Sequence, residues 1–295
     1  MKLIDGKELA KTIKGEIAIT VKEIVDNGGK IPHLAAVLIG DNPASQVYVG
    51  NKVRSCEQVG FKSTLIKRGS EITQKEVLDI VTQLNNDPDV DGFIVQLPLP
   101  DHLKEDEITL AIDPRKDVDG FHPMNIGRMA QGLPCYLPAT PYGIMQMLER
   151  YEIEIQGKEV VILGRSNIVG TPMSILLSRK ARVGNATVQL CHSRTTDIPG
   201  HCRKADILIA AIGRANFVTA DMVKEGAVVI DVGINRVDDP SKKRGYRLDG
   251  DVHFEGVAEK CSYITPVPGG VGPMTVCSLM LNTLKSCRGE VYPKN

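Results

Sequence analysis

Glu159-Val-Val-Ile-Leu-Gly-Arg-Ser-Asn-Ile-Val-Gly170 is the stretch from which the fold can be read. Val160 to Leu163 are consecutive apolar residues, the mark of a strand buried on both faces of a parallel sheet. Gly164 makes a tight turn, and a helical pattern opens near Ile168 and runs through Met173, Leu176 and Leu177. Strand, glycine turn and helix form the phosphate-binding arrangement of a dinucleotide fold. The helix N-terminus there offers unpaired N–H groups and a partial positive charge to a pyrophosphate. The usual G-x-G-x-x-G becomes Gly164-x-Ser166-x-x-x-Gly170, with serine at the middle position and a final interval longer by one. Alone, the pattern fits an ordinary strand–turn–helix equally well.

The next strand gives it weight. It reads 186–190 and runs into His192-Ser193-Arg194. An NAD site places an acidic residue at the end of this strand to bind the ribose 2′-hydroxyl. Here a hydroxyl and Arg194 stand there instead, with Arg165 in the glycine turn, a set that would welcome a 2′-phosphate. The reading is NADP; the bland alternative is a solvated basic loop.

Elements continue on both sides. Toward the C-terminus the pattern gives a helix over 169–180, a helix near 198–204, and strands over 206–212, 227–232 and 262–265. Pro266-Val-Pro-Gly-Gly-Val-Gly-Pro273 reads as a rigid turn, or as backbone that Gly269 and Gly270 let approach a flat ligand. A last helix over 274–287 is expected to pack back on the first domain. Toward the N-terminus a helix is expected over 7–27 and a buried strand over 34–39. A helix over 44–59 and a strand over 61–66 follow. Thr73 and Glu76 form a capping box opening a helix to about 86. A strand over 91–98 stops at two prolines, a helix occupies 104–112, and Lys116-Asp-Val-Asp-Gly120 is a polar turn in which Lys116 and Asp117 pair or cap locally.

Alternating strands and helices imply an α/β fold of two domains with parallel sheets. The boundaries read 1–139 plus 274–295, and 140–273 for a Rossmann-type nucleotide domain, with a helix from Thr140-Pro141 as connector.

In the first domain, Tyr48 and Lys52 stand at i and i+4 on one helix face just after a strand end, where ligands collect in α/β sheets. Most such pairs are plain surface neighbours. Gln96 and Asp119 also follow strand ends, and four polar groups at one sheet edge make a candidate site.

Composition narrows the partners. Lys plus Arg and Asp plus Glu number 36 each, a balance that argues against nucleic acid or an anionic membrane. No apolar run approaches the roughly 20 residues that span a bilayer. Seven cysteines without a C-x-x-C and six histidines without an H-x-x-x-H pair point to free thiols, a cytoplasmic location and no metal. The first residues, Met1-Lys-Leu-Ile-Asp-Gly-Lys-Glu, carry neither secretory nor transit character.

Tyr48-x-x-x-Lys52, Gln96-Leu-Pro-Leu-Pro, Lys116-Asp-Val-Asp-Gly120, Gly164-Arg-Ser-Asn-Ile-Val-Gly170 and Pro266-Val-Pro-Gly-Gly-Val-Gly-Pro-Met-Thr275 occur in that order. Together they resemble bifunctional methylenetetrahydrofolate dehydrogenase/methenyltetrahydrofolate cyclohydrolase over essentially the whole chain. The resemblance implies oxidation of 5,10-methylenetetrahydrofolate with NADP and hydrolysis of the methenyl product to 10-formyltetrahydrofolate, in a cleft between the domains. It implies Lys52 as the key catalytic group, positioned by Gln96, with Tyr48 stacking on the aminobenzoate ring and Asp119 bonding the pterin. Leu97, Pro268, Gly269 and Gly270 would border the folate. Gly164, Arg165, Ser166, Ile168, Ser193, Arg194, Gly213, Ile234 and Thr275 would hold the cofactor. A homodimer, through the nucleotide domains, is implied too. The segment 178–185 looks longer than in many relatives. The rival readings are a monofunctional, NAD-linked dehydrogenase and a nucleotide-binding protein without activity.

Overall fold

The computed structural model describes residues 1–242 and 245–293. In chain order the elements are β1 (Lys2–Leu3), α1 (Gly6–Asp26), β2 (His33–Ile39), α2 (Pro43–Val59), β3 (Lys62–Arg68), α3 (Gln74–Asn86) and β4 (Gly92–Val95). Then come α4 (Glu105–Ala111), α5 (Pro123–Ala130), α6 (Ala139–Arg150), β5 (Glu159–Leu163), α7 (Gly170–Ser178), β6 (Thr187–Cys191), α8 (Ile198–Cys202) and β7 (Ile207–Ala210). The chain continues through β8 (Val228–Asp231), β9 (Asn235–Asp238), β10 (Tyr246–Asp249), α9 (Phe254–Ala258), β11 (Tyr263–Ile264) and α10 (Val271–Cys287). They form two compact units, Lys11–Ala139 with Val276–Asn295, and Met1–Ala10 with Thr140–Thr275.

The first unit holds a three-stranded parallel sheet in the order β3-β2-β4. His33-Leu-Ala-Ala-Val-Leu-Ile39 is buried at every position, as its unbroken apolar run requires of a central strand. Its one polar member, His33, is satisfied inside: its N–H donates to Asp91 Oδ2 (2.9 Å) and its Nε2 pairs with Thr64 Oγ1 (2.9 Å). The capping box at α3 forms as the sequence predicts, Glu76 N donating to Thr73 Oγ1 and Thr73 N to Glu76 Oε2. That helix lays Val77, Ile80, Val81 and Leu84 onto Phe93, Val95 and Ile108. The C-terminal part of α10 belongs here: Asn282 Nδ2 donates to Val118 O and Leu137 O (both 2.8 Å), and Ser286 Oγ to Asp91 O (2.6 Å).

The second unit holds a six-stranded sheet, β1-β11-β8-β7-β5-β6, parallel throughout, and a separate antiparallel hairpin of β9 and β10. Because β6 lies on one side of β5 and β7 on the other, the strand order reverses at β5. Ligands of open α/β sheets collect at the carboxyl ends of strands at such a point.

The structure departs from the sequence reading in several places. The first ten residues group with the six-stranded unit and not with 11–139, because β1 pairs with β11 (Lys2↔Tyr263, Leu3↔Ile264) and Asp5 N donates to Tyr151 Oη (2.8 Å). The other junction falls after Thr275, inside α10. That helix begins at Val271, three residues sooner than its apolar pattern indicated, since Pro273 sits in the first turn where no N–H is needed. Helix α5, helix α9, strand β1 and the β9–β10 hairpin carry no apolar run long enough to announce them. Among the described residues, no helix is long and apolar enough to cross a membrane.

Candidate active site

Two chain segments leave the three-stranded sheet at the carboxyl ends of β2 and β4, a third runs beside β4 in parallel, and each delivers a candidate residue. After β2, Gly40 turns at φ +75° and α2 follows, presenting Tyr48 and Lys52 one turn apart. After β4, Gln96 extends the strand by one bond, its N–H donating to Val37 O (2.9 Å). Beside β4, Asp117 bridges Phe93 in parallel, and Asp119 follows it.

These residues meet. Lys52 is 5% exposed, its Nζ donating to Gln96 Oε1 (3.2 Å) and lying 5.3 Å from the centre of the Tyr48 ring. Gln96 Nε2 donates to Leu97 O (2.6 Å), which fixes the amide so that its oxygen faces the amine. Burial lowers the pKa of Lys52, and the Asp119 carboxylate opposes that shift. Burial likewise raises the pKa of Asp119, with Lys52 pulling it back. Burial thus disfavours the charge on both groups, while each favours the charged form of the other.

Lys116 and Asp117 have the local roles their sequence indicated. Lys116 Nζ donates to Leu84 O and Asp87 O (2.7 and 2.5 Å). Asp117, 2% exposed, accepts from the N–H groups of Gly120, Phe121 and His122 and from Asn125 Nδ2. It thereby shapes the loop that carries Asp119. Gly120 turns at φ +77°, and a Cβ there would stand 2.5 Å from Leu137 C.

The other candidates lie in the six-stranded unit. Gly164 follows β5 at φ +105°, and a Cβ on it would fall 2.1 Å from Ala211 O; one on Gly170 would fall 1.9 Å from Gly164 O. Only glycines allow this turn to close so tightly. Ser166 Oγ accepts from Val169 N (3.1 Å) and Ser166 O from Thr171 N (3.0 Å), ordering the entry to α7. Arg165 is exposed, and Ile168 is 43% exposed. After β6, Thr195 Oγ1 accepts from His192 N (2.9 Å) and Arg194 N donates to His192 Nδ1 (3.2 Å), a turn that leaves the Ser193 and Arg194 side chains exposed. Gly213 has φ +67°, and a Cβ there would meet nothing within 4 Å. Ile234 is 53% exposed. Thr275 Oγ1 pairs with Thr140 Oγ1 (3.0 Å).

Pro268, Gly269 and Gly270 belong to this unit as well, and both glycines have an intramolecular reason. Gly269 turns at φ +108° while its carbonyl accepts from Lys7 N (3.0 Å), and a Cβ on Gly270 would lie 2.5 Å from Pro266 O. The sequence reading missed Asp231 and Asp251, which organise the loops around Gly213 and Ile234. The only local signal is a glycine next to or near each, Gly233 and Gly250. Among the described residues no group of three or more His, Cys, Asp or Glu side chains could hold a metal ion.

Residues 4–119 match the family model described as the catalytic domain of tetrahydrofolate dehydrogenase/cyclohydrolase, and residues 138–291 match its NAD(P)-binding domain. The chain belongs to the tetrahydrofolate dehydrogenase/cyclohydrolase family. It is 60% identical over 292 residues to the bifunctional protein FolD of Bacteroides thetaiotaomicron, a match covering 99% of this chain and 100% of that one. Its fold is similar to that of the bifunctional FolD methylenetetrahydrofolate dehydrogenase/cyclohydrolase of Campylobacter jejuni, with a TM-score of 0.92 at 48% identity over 98% and 99% of the two chains. The Trypanosoma brucei methylenetetrahydrofolate dehydrogenase-cyclohydrolase, solved with NADP cofactor and inhibitor, superposes with a TM-score of 0.92 at 37% identity over 98% of each chain. Tyr48, Lys52, Gln96 and Asp119 all lie in the part matching the catalytic domain of the tetrahydrofolate dehydrogenase/cyclohydrolase family. The glycine turn, Ser193 and Gly213 lie in the part matching its NAD(P)-binding domain.

Proposed function

We propose that this chain oxidises 5,10-methylenetetrahydrofolate to 5,10-methenyltetrahydrofolate with NADP and hydrolyses the product to 10-formyltetrahydrofolate. The observation that carries the reading is the buried Lys52 amine, aimed by Gln96 and with a lowered pKa. The methenyl carbon is cationic, so a permanently charged neighbour is disfavoured, whereas an amine that releases its proton suits acid–base work. Neutral Lys52 takes a proton from the water that adds to this carbon. It returns a proton to the ring nitrogen whose bond to the carbon breaks, and the substrate's positive charge leaves as one released proton. Gln96 keeps the amine in place, Tyr48 offers a flat face to the aminobenzoate, and Asp119 accepts from pterin N–H groups. Leu97, Pro268, Gly269 and Gly270 border the folate.

Bound NADP supplies the hydride acceptor for the oxidation. The residues present fit it: the Gly164–Gly170 turn admits a pyrophosphate, and Arg165, Ser193 and Arg194 are exposed donors for the 2′-phosphate, with no carboxylate at the end of β6. Ser166, Ile168, Gly213, Ile234 and Thr275 complete the cofactor's surroundings. The protein acts in the cytoplasm as a homodimer joined through its nucleotide-binding units, which light scattering of the purified protein would test.

A spectroscopic assay with 5,10-methylenetetrahydrofolate and either NADP or NAD tests the chemistry, following reduced nicotinamide and methenyl-folate separately. NADPH formation with methenyl decay above the uncatalysed rate is expected. NADH without NADPH would refute the cofactor assignment, and persistent methenyl-folate would reduce the protein to a dehydrogenase.

A further inference from the structure

Asp231 and Asp251 are buried carboxylates of the six-stranded unit, 4% and 0% exposed, to which the proposed chemistry gives no part. Asp231 ends β8. Its Oδ1 accepts from Gly233 N and Asp251 N, and its Oδ2 from Val252 N, all at 2.9 Å. It therefore fixes the backbone from which the Asp251 side chain projects. Asp251 Oδ2 accepts from Ile212 N (2.7 Å) and Gly213 N (3.0 Å), and Oδ1 from Arg214 N (2.8 Å) and Asn235 Nδ2 (2.9 Å). Glycines make room for both: a Cβ on Gly250 would fall 1.8 Å from Asp231 Oδ2, and one on Gly233 2.4 Å from Asp251 Oδ1.

Three successive N–H groups spent on one carboxylate have a geometric consequence. In a trans peptide the C=O points opposite to the N–H, so the carbonyls of Ala211, Ile212 and Gly213 face away from Asp251. The contact of Ala211 O with the Gly164 turn agrees, and a Cβ on Gly213 would enter open space. The loop after β7 is thus a row of acceptors backed by a negative charge. A phosphate would find no donor there and would be repelled; a hydroxyl or amide N–H fits. The loop lies on the side of β5 away from β6, whose end carries Ser193, and so serves the other half of a dinucleotide.

We propose that Asp251 is a positioning residue for the nicotinamide half of the cofactor: it turns the 211–213 backbone into an acceptor edge for ribose hydroxyl or carboxamide donors and, through Asn235, holds the Ile234 loop against it. The inference rests on the dehydrogenase/cyclohydrolase reading. In Asp251→Asn an NH2 faces backbone donors and the turn must rearrange. In Asn235→Ala the three backbone donors to Asp251 remain, and the Asn235 Nδ2 bonds to Asp251 Oδ1 and to Asp249 O are lost.

The test titrates NADP and adenosine 2′,5′-bisphosphate into wild type and both variants, and measures the two activities in each. Hydrolysis of methenyl-folate needs no cofactor and reports an intact fold. For Asp251→Asn the expected result is a dissociation constant and KM for NADP raised about tenfold or more, the scale of hydrogen bonds to a charged group. The bisphosphate affinity and the cyclohydrolase rate should stay unchanged, and Asn235→Ala should show a smaller effect in the same direction. NADP affinity within twofold of wild type in the folded variants would overturn the proposal. So would a parallel fall of both activities, which marks a merely structural role. If Asp251→Asn does not fold, Asn235→Ala decides alone. Failure of the functional reading is distinguishable, because wild type itself would then lack one of the activities.

Discussion

The chemistry proposed for the three-stranded unit rests on one amine, that of Lys52. Replacement by arginine keeps the charge but not the ability to shed it, since a guanidinium stays protonated. Lys52→Arg should retain folate binding, measured by titration, while cyclohydrolase activity falls about 100-fold or more, the usual worth of a general acid–base group. Wild-type hydrolysis rates in that variant would remove the assigned role. Burial lowers the Lys52 pKa, so the folded chain releases this proton at lower pH than the unfolded one. Hydrolysis should therefore rise with pH through that lowered value. Relative to Lys52→Met, which does not titrate, the wild-type fold should gain stability from there up to the ordinary lysine value. A pH–rate profile and melts across the same range check both. At the other ligand, Arg165→Ala and Arg194→Ala should each weaken NADP by about tenfold and leave NAD nearly untouched, because each removes a charged donor that only the 2′-phosphate uses. Equal losses for both nucleotides would count against the assignment.

Elements with a strong internal period or cap were legible in the sequence, and those held by distant partners were not. Strand β5 has the bounds its apolar run indicates, and the cap of α3 is in place. Thr73→Ala should cost about 1 kcal/mol of stability in urea unfolding, the typical worth of an N-cap side chain. No measurable loss would mean that the tertiary packing of Val77, Ile80, Val81 and Leu84 alone holds the helix start. The β9–β10 hairpin escaped notice because Asn235-Arg-Val-Asp238 and Tyr246-Arg-Leu-Asp249 contain no buried run. Cross-strand pairing and the Arg236 guanidinium lying 4.1 Å from the centre of the Tyr246 ring hold it instead. The site shows the same division. Tyr48 and Lys52 could be paired by eye because they are neighbours on one helix. The joining of Lys52 to Gln96 spans 44 residues, and the hold of Asp251 on Ile212 spans 39, distances over which residue spacing carries no information.

Across the whole molecule, the first ten residues belong with strands from the far end of the sequence. Ile4, fully buried, stands just beyond β1, and its N–H donates to Ile264 O (2.8 Å). Ile4→Ala should cost about 2–4 kcal/mol through the cavity it leaves. Hydrogen exchange should quicken across β11 and β8 while β2 and β4 keep their protection. Faster exchange in β2 instead would place the N-terminus with the wrong set of strands. The partition of the chain also limits how such a protein can be recombined. The backbone passes between the two units after Ala10, after Ala139 and after Thr275, inside α1, at the first residue of α6 and inside α10. Neither unit is a cassette that can be lifted out with two cuts. Grafting the nucleotide-binding half onto another scaffold would need three splices, each of them through a helix, so new cofactor preference is more accessible to this architecture through point changes at Arg165, Ser193 and Arg194 than through exchange of modules.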